Sequence, residues 1–420
     1  MSGRSGGLHV SSRVLADVSG PEPGRTLVIF GGIHGNEPAG IHAIREVLKE
    51  LDAFGVLKRG RVVAMVGNRR ALASGERYLD RDLNRGWTPD ALCALFADPH
   101  SDTSAEAEEQ RSILAHLQPI LEDSRDPVVF LDLHTTSGHG PPFVAMSDTL
   151  RNRAVAQALP IPLILGLEEV IRGSMLGFFS DLGHCGVAVE GGAHDDPESA
   201  ARHIAAIRLV LEKVGLVDAD WNRQRDRQRL ADAAAGLPSV VEILYRHVLR
   251  ENEPFHMKPG YKNFQPIRRG EILAEGENGP IRSPYEGLIL MPRYQGLGED
   301  GFFICREVHP RWMNLSAWIR RARLDVLAPR LPGVKRHDDL SGHLVTRSDA
   351  FFGQTVNLLH LFGYRRRGRI GSLEVFGRRR PDHAPPLPLV LEPKPSFCTT
   401  EGHDNRSREE HAGDPPSPSR

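Results

Sequence analysis

A chain of 420 residues, 40% hydrophobic and 25% charged, holds enough apolar material for a large buried core and more than one domain, which excludes a mostly membrane-embedded or disordered protein. Its 53 Lys and Arg against 54 Asp and Glu leave a net charge of −1, so no global field steers it to nucleic acid or acidic lipid. Neither partner is expected, and either would need a local patch. The four cysteines, Cys93, Cys185, Cys305 and Cys398, lack C-x-x-C spacing and read as reduced thiols of a cytoplasmic protein. The first twenty residues contain no apolar leader core, and no run of 18 apolar residues occurs, so neither export nor membrane spanning is expected.

From Thr26 to about Val214, short apolar runs alternate with segments of helical period. This is the pattern of βα units around a mainly parallel, mixed sheet with helices on both faces. Strands are expected at 27–30, 62–66, 128–133, 162–165 and 187–190. Pro38 suits a first helical turn, and Ile41, Ile44, Val47, Leu48 and Leu51 recur at three- and four-residue spacing, predicting a helix that buries that stripe. Further helices are expected over 104–121 and over 197–214, the latter with Ile204, Ile207, Val210 and Leu211 on one face.

The polar stretch 218–236 separates this α/β domain, 1–236, from a small all-β, barrel-like domain at 237–326. There the segments 266–274 and 281–290 resemble half of a biotinyl/lipoyl-type barrel without a lysine at the hairpin tip. An extension, 327–420, follows. Residues 364–380 hold seven arginines against one glutamate, which suits an anionic partner or simply a solvated surface. The last forty residues carry nine prolines and no periodic pattern, and are expected to be disordered.

In open α/β sheets functional groups gather beyond the carboxyl ends of strands. His34, His134 and Glu190 all lie there. His34 and Glu37 stand three residues apart where a strand turns into a helix, and the glycines at 31, 32 and 35 permit a tight turn with room for a ligand. His-Glu-His from two strand ends is the donor set of a hydrolytic zinc centre, which keeps a fourth position for water. Asp132 is either an acid that orients His134 or an ordinary buried acid. The cluster 77–85 packs three arginines, two aspartates and an asparagine into nine residues. Asn84 and Arg85 suit the carboxylate of an amino-acid-like substrate, although a solvated, salt-bridged loop has the same composition. Glu190, closing an apolar strand before two glycines, is placed either as a general base or as a strand-end acid facing solvent.

Taken in order, G-G-I-H-G-N-E (31–37), R-Y-L-D-R-D-L-N-R (77–85), L-D-L-H (131–134) and V-E-G-G (189–192) resemble the succinylglutamate desuccinylase/aspartoacylase family, a branch of the zinc carboxypeptidase-like hydrolases. The resemblance covers about 26 to 300. It implies one Zn2+ per subunit on His34, Glu37 and His134, Glu190 as base and Arg77 polarising the scissile carbonyl. Asn84 and Arg85 would bind the substrate carboxylate, and Tyr294, with Tyr285 as its competitor, would reach the site from the β-domain. The family's mammalian aspartoacylases place another substrate-binding arginine about ten residues before the base. Here Ser180 stands at that distance, and the nearest preceding arginine is Arg172. The expected activity is hydrolysis of an N-acyl amino acid or a related small acylated amine. The rivals are a peptide carboxypeptidase, a deacylase or esterase of a larger small molecule, and a non-catalytic binding protein. Self-association into a homo-oligomer is compatible with the sequence.

Overall fold

Eleven strands of the described residues hydrogen-bond into one mixed sheet, and its centre is built from the apolar runs visible in the sequence. The computed structural model describes residues 7–98, 100, 102–218, 223–250, 252–338, 340, 342–347, 352–380 and 384–389. These fall into two compact units, one drawn from 1–87, 102–311 and 380–389, the other from 88–101 and 312–379.

In the first unit the strands are β1 (Val14–Ser19), β2 (Glu22–Gly31), β3 (Arg59–Val66), β4 (Val129–Thr136), β5 (Phe143–Met146), β6 (Leu163–Leu165), β7 (Cys185–Ala193), β8 (Val240–Val248), β9 (Phe255–Met257), β10 (Pro266–Ile267), β11 (Ile272–Gly276), β12 (Gly279–Arg282), β13 (Gly287–Leu290) and β14 (Asp300–Glu307). The large sheet runs β1-β3-β2-β4-β7-β5-β6-β8-β14-β13-β10. β2 pairs in parallel with β3 and β4, and β4 with β7. Every residue of β4 is buried, as a central strand covered on both faces must be. The Ala39–Phe54 helix buries Ile41, Ile44, Val47 and Leu51 and ends on Gly55 in the left-handed region. It packs against the Glu198–Lys213 helix, which buries Ile207, Val210 and Leu211.

The strands expected from the sequence do not include β1 or β5. Both pair antiparallel with their neighbours, β1 with β3 and β5 with β7, which makes the sheet mixed. The polar stretch 218–236 contains a helix, Arg223–Ala233, that buries only Asp226 and Leu230. Beyond it, β8 pairs in parallel with β6 and antiparallel with β14, so the all-β segment is joined to the α/β sheet by an unbroken ladder. β9, β11 and β12 form a separate three-stranded sheet over Met257, Leu273, Ile289 and Phe302.

In the second unit β15 (Val334–Arg336), β16 (His343–Arg347), β17 (Tyr364–Ile370) and β18 (Leu373–Arg378) form an antiparallel sheet in the order β15-β16-β18-β17. Its core holds Ala328, Val334, Leu344, Leu359, Tyr364 and Phe376. Much of the segment read only as an extension is therefore folded, and the arginine-rich stretch forms its β17/β18 hairpin. Of the last forty residues only 384–389 are described, so the expectation of disorder there falls almost wholly outside the described residues.

Candidate metal centre

β2 ends at Gly31, and Gly32 takes a φ of +68°, a conformation that glycine adopts without strain. Gly35 lies against the Arg69–Ser74 helix so closely that a Cβ would stand 2.0 Å from the Ala71 carbonyl carbon. This turn aims His34 and Glu37 at one point, with His34 Nδ1 2.8 Å from Glu37 Oε1. From the neighbouring β4, His134 Nδ1 lies 3.0 Å from Glu37 Oε2, which also accepts the Thr135 N–H at 3.0 Å. One donor atom from each of His34, Glu37 and His134 lies within 4.8 Å of the others. The remaining ring nitrogens face carboxylates, Nε2 of His34 at 3.3 Å from Asp82 and Nε2 of His134 at 2.8 Å from Asp132. Imidazoles that each keep one nitrogen on an acid and turn the other to a shared point are arranged as metal ligands are.

Burial alone would raise the Glu37 carboxyl, yet His34 and His134 hold it well below the usual carboxylate range. Burial would lower His134, but Asp132 and Glu37 lift it well above an ordinary imidazole. Asp82 is likewise pulled well down, by His34 and Arg77, against the effect of burial. The centre is thus a buried set of groups whose charges compensate one another, which is the condition for keeping carboxylates out of water.

Glu190 on β7 is the cross-strand partner of His134. Its Oε2 is buried and has no hydrogen-bond partner among the described residues. Burial, with the Glu37 charge adding to it and His134 opposing, pushes the carboxyl up to about 7. The β4/β7 register shifts just after this pair. There the fully buried His203 directs Nε2 at two carbonyls, His134 O at 2.9 Å and Val189 O at 3.3 Å. A Cβ on Gly191 would stand 2.6 Å from that same nitrogen, so the first glycine of V-E-G-G makes room for the ring. No motif marks His203; its one sequence signal is a histidine on the buried stripe of the Glu198–Lys213 helix.

The loop 77–85 is held by Glu106, whose carboxylate accepts N–H groups from Leu79, Asp80 and Arg81 and from the Asn68 amide at 2.8 to 3.2 Å. Thus braced, the loop sends Arg77 to Asp82 at 3.1 Å and to Glu37 at 3.5 Å. Asn84 Oδ1 accepts the Met175 N–H. Arg85 Nη2 donates to Asp300 on β14 at 3.0 Å, and its buried Nε has no partner among the described residues.

One cavity is lined by His34, Glu37, Arg77, Asn84, Arg85, His134 and Glu190, so seven of the eight residues expected from the sequence converge. Tyr294 does not line it. Its hydroxyl donates to the Lys258 carbonyl at 2.8 Å and accepts the Tyr261 N–H at 3.0 Å, and the side chain is 40% exposed. Its neighbours Arg293 and Gln295 line the cavity instead, and Gln295 Oε1 meets Asn36 and His194, each at 3.2 Å. Tyr285, the competitor, lies near Tyr245 and is also absent from the lining. Ser180 is buried against Asn152, away from the lining. Sequence reasoning missed Asp82 as a partner of His34, and also His194, Gln295 and Asp300. Of these only Asp82 sat in a motif that drew notice.

A family model described as the succinylglutamate desuccinylase/aspartoacylase catalytic domain matches residues 23–212. A probable aspartoacylase of Prochlorococcus marinus (strain MIT 9313) is 31% identical over 313 residues, covering 68% of this chain and 94% of its own. An N-acyl-aromatic-L-amino acid amidohydrolase (carboxylate-forming) of Xenopus tropicalis is 25% identical over 281 residues, covering 60% and 82%. The crystal structure of a succinylglutamate desuccinylase/aspartoacylase from Rhodobacter sphaeroides has the same fold, with a TM-score of 0.52 and 19% identity over 70% of this chain and 88% of that one.

Proposed function

This chain belongs to the succinylglutamate desuccinylase/aspartoacylase family, and from that premise we propose that it is a zinc-dependent amidohydrolase of N-acyl amino acids or related small acylated amines. The observation that carries the reading is the meeting of His34, Glu37 and His134 in one cavity with the unpartnered Oε2 of Glu190. Held by those three side chains, zinc supplies the Lewis acidity that acidifies water and polarises a carbonyl. Glu190 Oε2 is the oxygen available to take the proton of the attacking water and to return it to the departing amine. Arg77, fixed by Asp82, donates to the oxygen on which charge develops, a contribution whose loss typically costs on the order of 100- to 1,000-fold in rate. Asn84, with its carbonyl oxygen spent on Met175, keeps its amide N–H groups for a substrate carboxylate beside the Arg85 Nε.

The cavity also supports a reading of the substrate. Its cations already have acceptors: Arg77 has Asp82 and Glu37, Arg85 has Asp300, and Arg293 has the carbonyls of Gln295, Gly296 and Gly298. Met146, Leu167, Ile171, Leu176 and Phe303 give it an apolar wall. One carboxylate and an apolar remainder match this lining better than a dicarboxylate does. Zinc-loaded protein is expected to release amine from N-acetyl derivatives of apolar amino acids faster than from N-acetylaspartate or from a longer peptide. No amine from any N-acyl amino acid, with the metal shown to be bound, would overturn the proposal.

A further inference from the structure

A net charge of −1 conceals a strong separation of charge along the chain. Residues 312–379 contain 13 Lys and Arg against five Asp and Glu, a net of +8, and the rest of the chain compensates. Among the described residues of this stretch, eight of the cations are exposed, Arg321, Arg323, Lys335 and Arg369 among them, whereas Asp338 is the one exposed carboxylate. A surface of this kind attracts a polyanion even though the whole molecule does not.

The same unit leaves large apolar side chains in water. On the Pro310–Arg321 helix Met313, Ser316 and Arg320 turn inward, and the Ser316 hydroxyl donates to the Leu361 carbonyl at 2.9 Å. Trp312, Leu315 and Trp318, three residues apart on the other face, are 54%, 40% and 60% exposed. Val326 and Leu327 follow at 62% and 41%. Exposed arginines bracket the stripe at 311, 321 and 323. Two exposed indoles and a leucine on one helix face, with exposed arginines beside them in sequence at both ends, match the boundary of a bilayer, where rings and hydrocarbon enter the headgroup layer and cations meet phosphates. Stacked nucleobases would use the rings and leave Leu315, Val326 and Leu327 wet. No helix among the described residues is long and apolar enough to cross a membrane, so the contact would be peripheral.

We propose that the 312–379 unit docks the protein on an anionic lipid surface, with Trp312, Leu315 and Trp318 in the interface and the surrounding arginines on lipid phosphates. The test is co-sedimentation of the full chain with phosphatidylcholine vesicles and with vesicles that also contain phosphatidylglycerol, at low and high salt, alongside tryptophan emission. Binding to the anionic vesicles at low salt, with a blue shift, is expected. Arg321→Glu with Arg323→Glu, and separately Trp312→Ser with Trp318→Ser, should each weaken it on the order of tenfold or more, and the second pair should abolish the shift. Hydrolysis of the N-acyl substrate should be unchanged in both. The proposal fails if anionic vesicles do not retain the wild-type chain, if phosphatidylcholine retains it equally, or if neither pair alters retention. It fails equally if the tryptophan pair instead dissolves a dimer in sedimentation velocity, or if single-stranded RNA is bound in preference to vesicles.

Discussion

A side chain at position 191 and the His203 ring would compete for the same space, so substitutions at the two positions should not add. In Gly191→Ala the new methyl would stand 2.6 Å from His203 Nε2 and 2.9 Å from two ring carbons. Relieving that overlap should cost about 1–3 kcal/mol. His203→Ala removes the N–H directed at the carbonyls of His134 and Val189 and empties the volume of an imidazole at a fully buried position. The lost hydrogen bond and the cavity together should cost about 3–5 kcal/mol. In the double variant the alanine methyl enters the vacated space, so the total should fall short of the sum by on the order of 1–2 kcal/mol. Urea unfolding of the metal-free protein measures all three. Because His203 fixes the carbonyl of a candidate ligand, His203→Ala should also weaken zinc binding roughly 10- to 100-fold in a chelator competition. Additivity within about 0.5 kcal/mol would refute the claim that ring and glycine are mutually required.

Three further outcomes follow from the same geometry. Glu190→Gln should bind added zinc as the wild type does and lose nearly all turnover; near-normal rates in metal-replete protein would remove Glu190 as the base. Arg85→Ala should raise KM for a carboxylate-bearing substrate with a smaller effect on kcat, and an unchanged KM would count against the clamp. Burial first, and Arg151 second, push the His184 imidazole down to about 4, while in the unfolded chain it titrates near 6.5. The unfolded chain therefore takes up a proton on acidification before the folded one does. The stability contributed by a neutral His184 is complete above about pH 6.5 and is lost as pH falls toward about 4. Between about pH 7 and about pH 5 the wild type should lose about 2 kcal/mol more than His184→Asn in urea unfolding, and equal losses would show that the ring titrates normally when folded.

The parts of this molecule that could be read from the sequence are those in which local pattern and tertiary role coincide. β4, β7 and the second half of β2 are largely buried on both faces, so their apolar runs announce them, and chemistry placed at strand ends is visible as soon as the strands are. β5 was not visible because it has four residues and its partners lie far away in sequence. Gln295 and Asp300 reach the cavity from segments without any motif, brought in by ladder pairing and loop closure, and His194 stands behind Gln295 at 3.2 Å. Tyr294 shows the limit of positional reasoning: it lies between two lining residues, but its own side chain points to Lys258 and Tyr261. The second unit was obscured by composition, since arginine-rich strands look like solvated loops until Phe376 and Leu344 are seen to pair across them.

The ladder between β6 and β8 has a practical consequence. A fragment trimmed at 236 would keep the three candidate ligands and the base, yet it would bare the backbone donors and acceptors of Leu163–Leu165 along a new sheet edge. It would also strip Arg85 of its acceptor on β14 and the cavity of Phe303. Such a piece should self-associate edge to edge when expressed alone, and reassembling it with a separately produced 237–311 segment is a more promising route to a dissected enzyme than trimming.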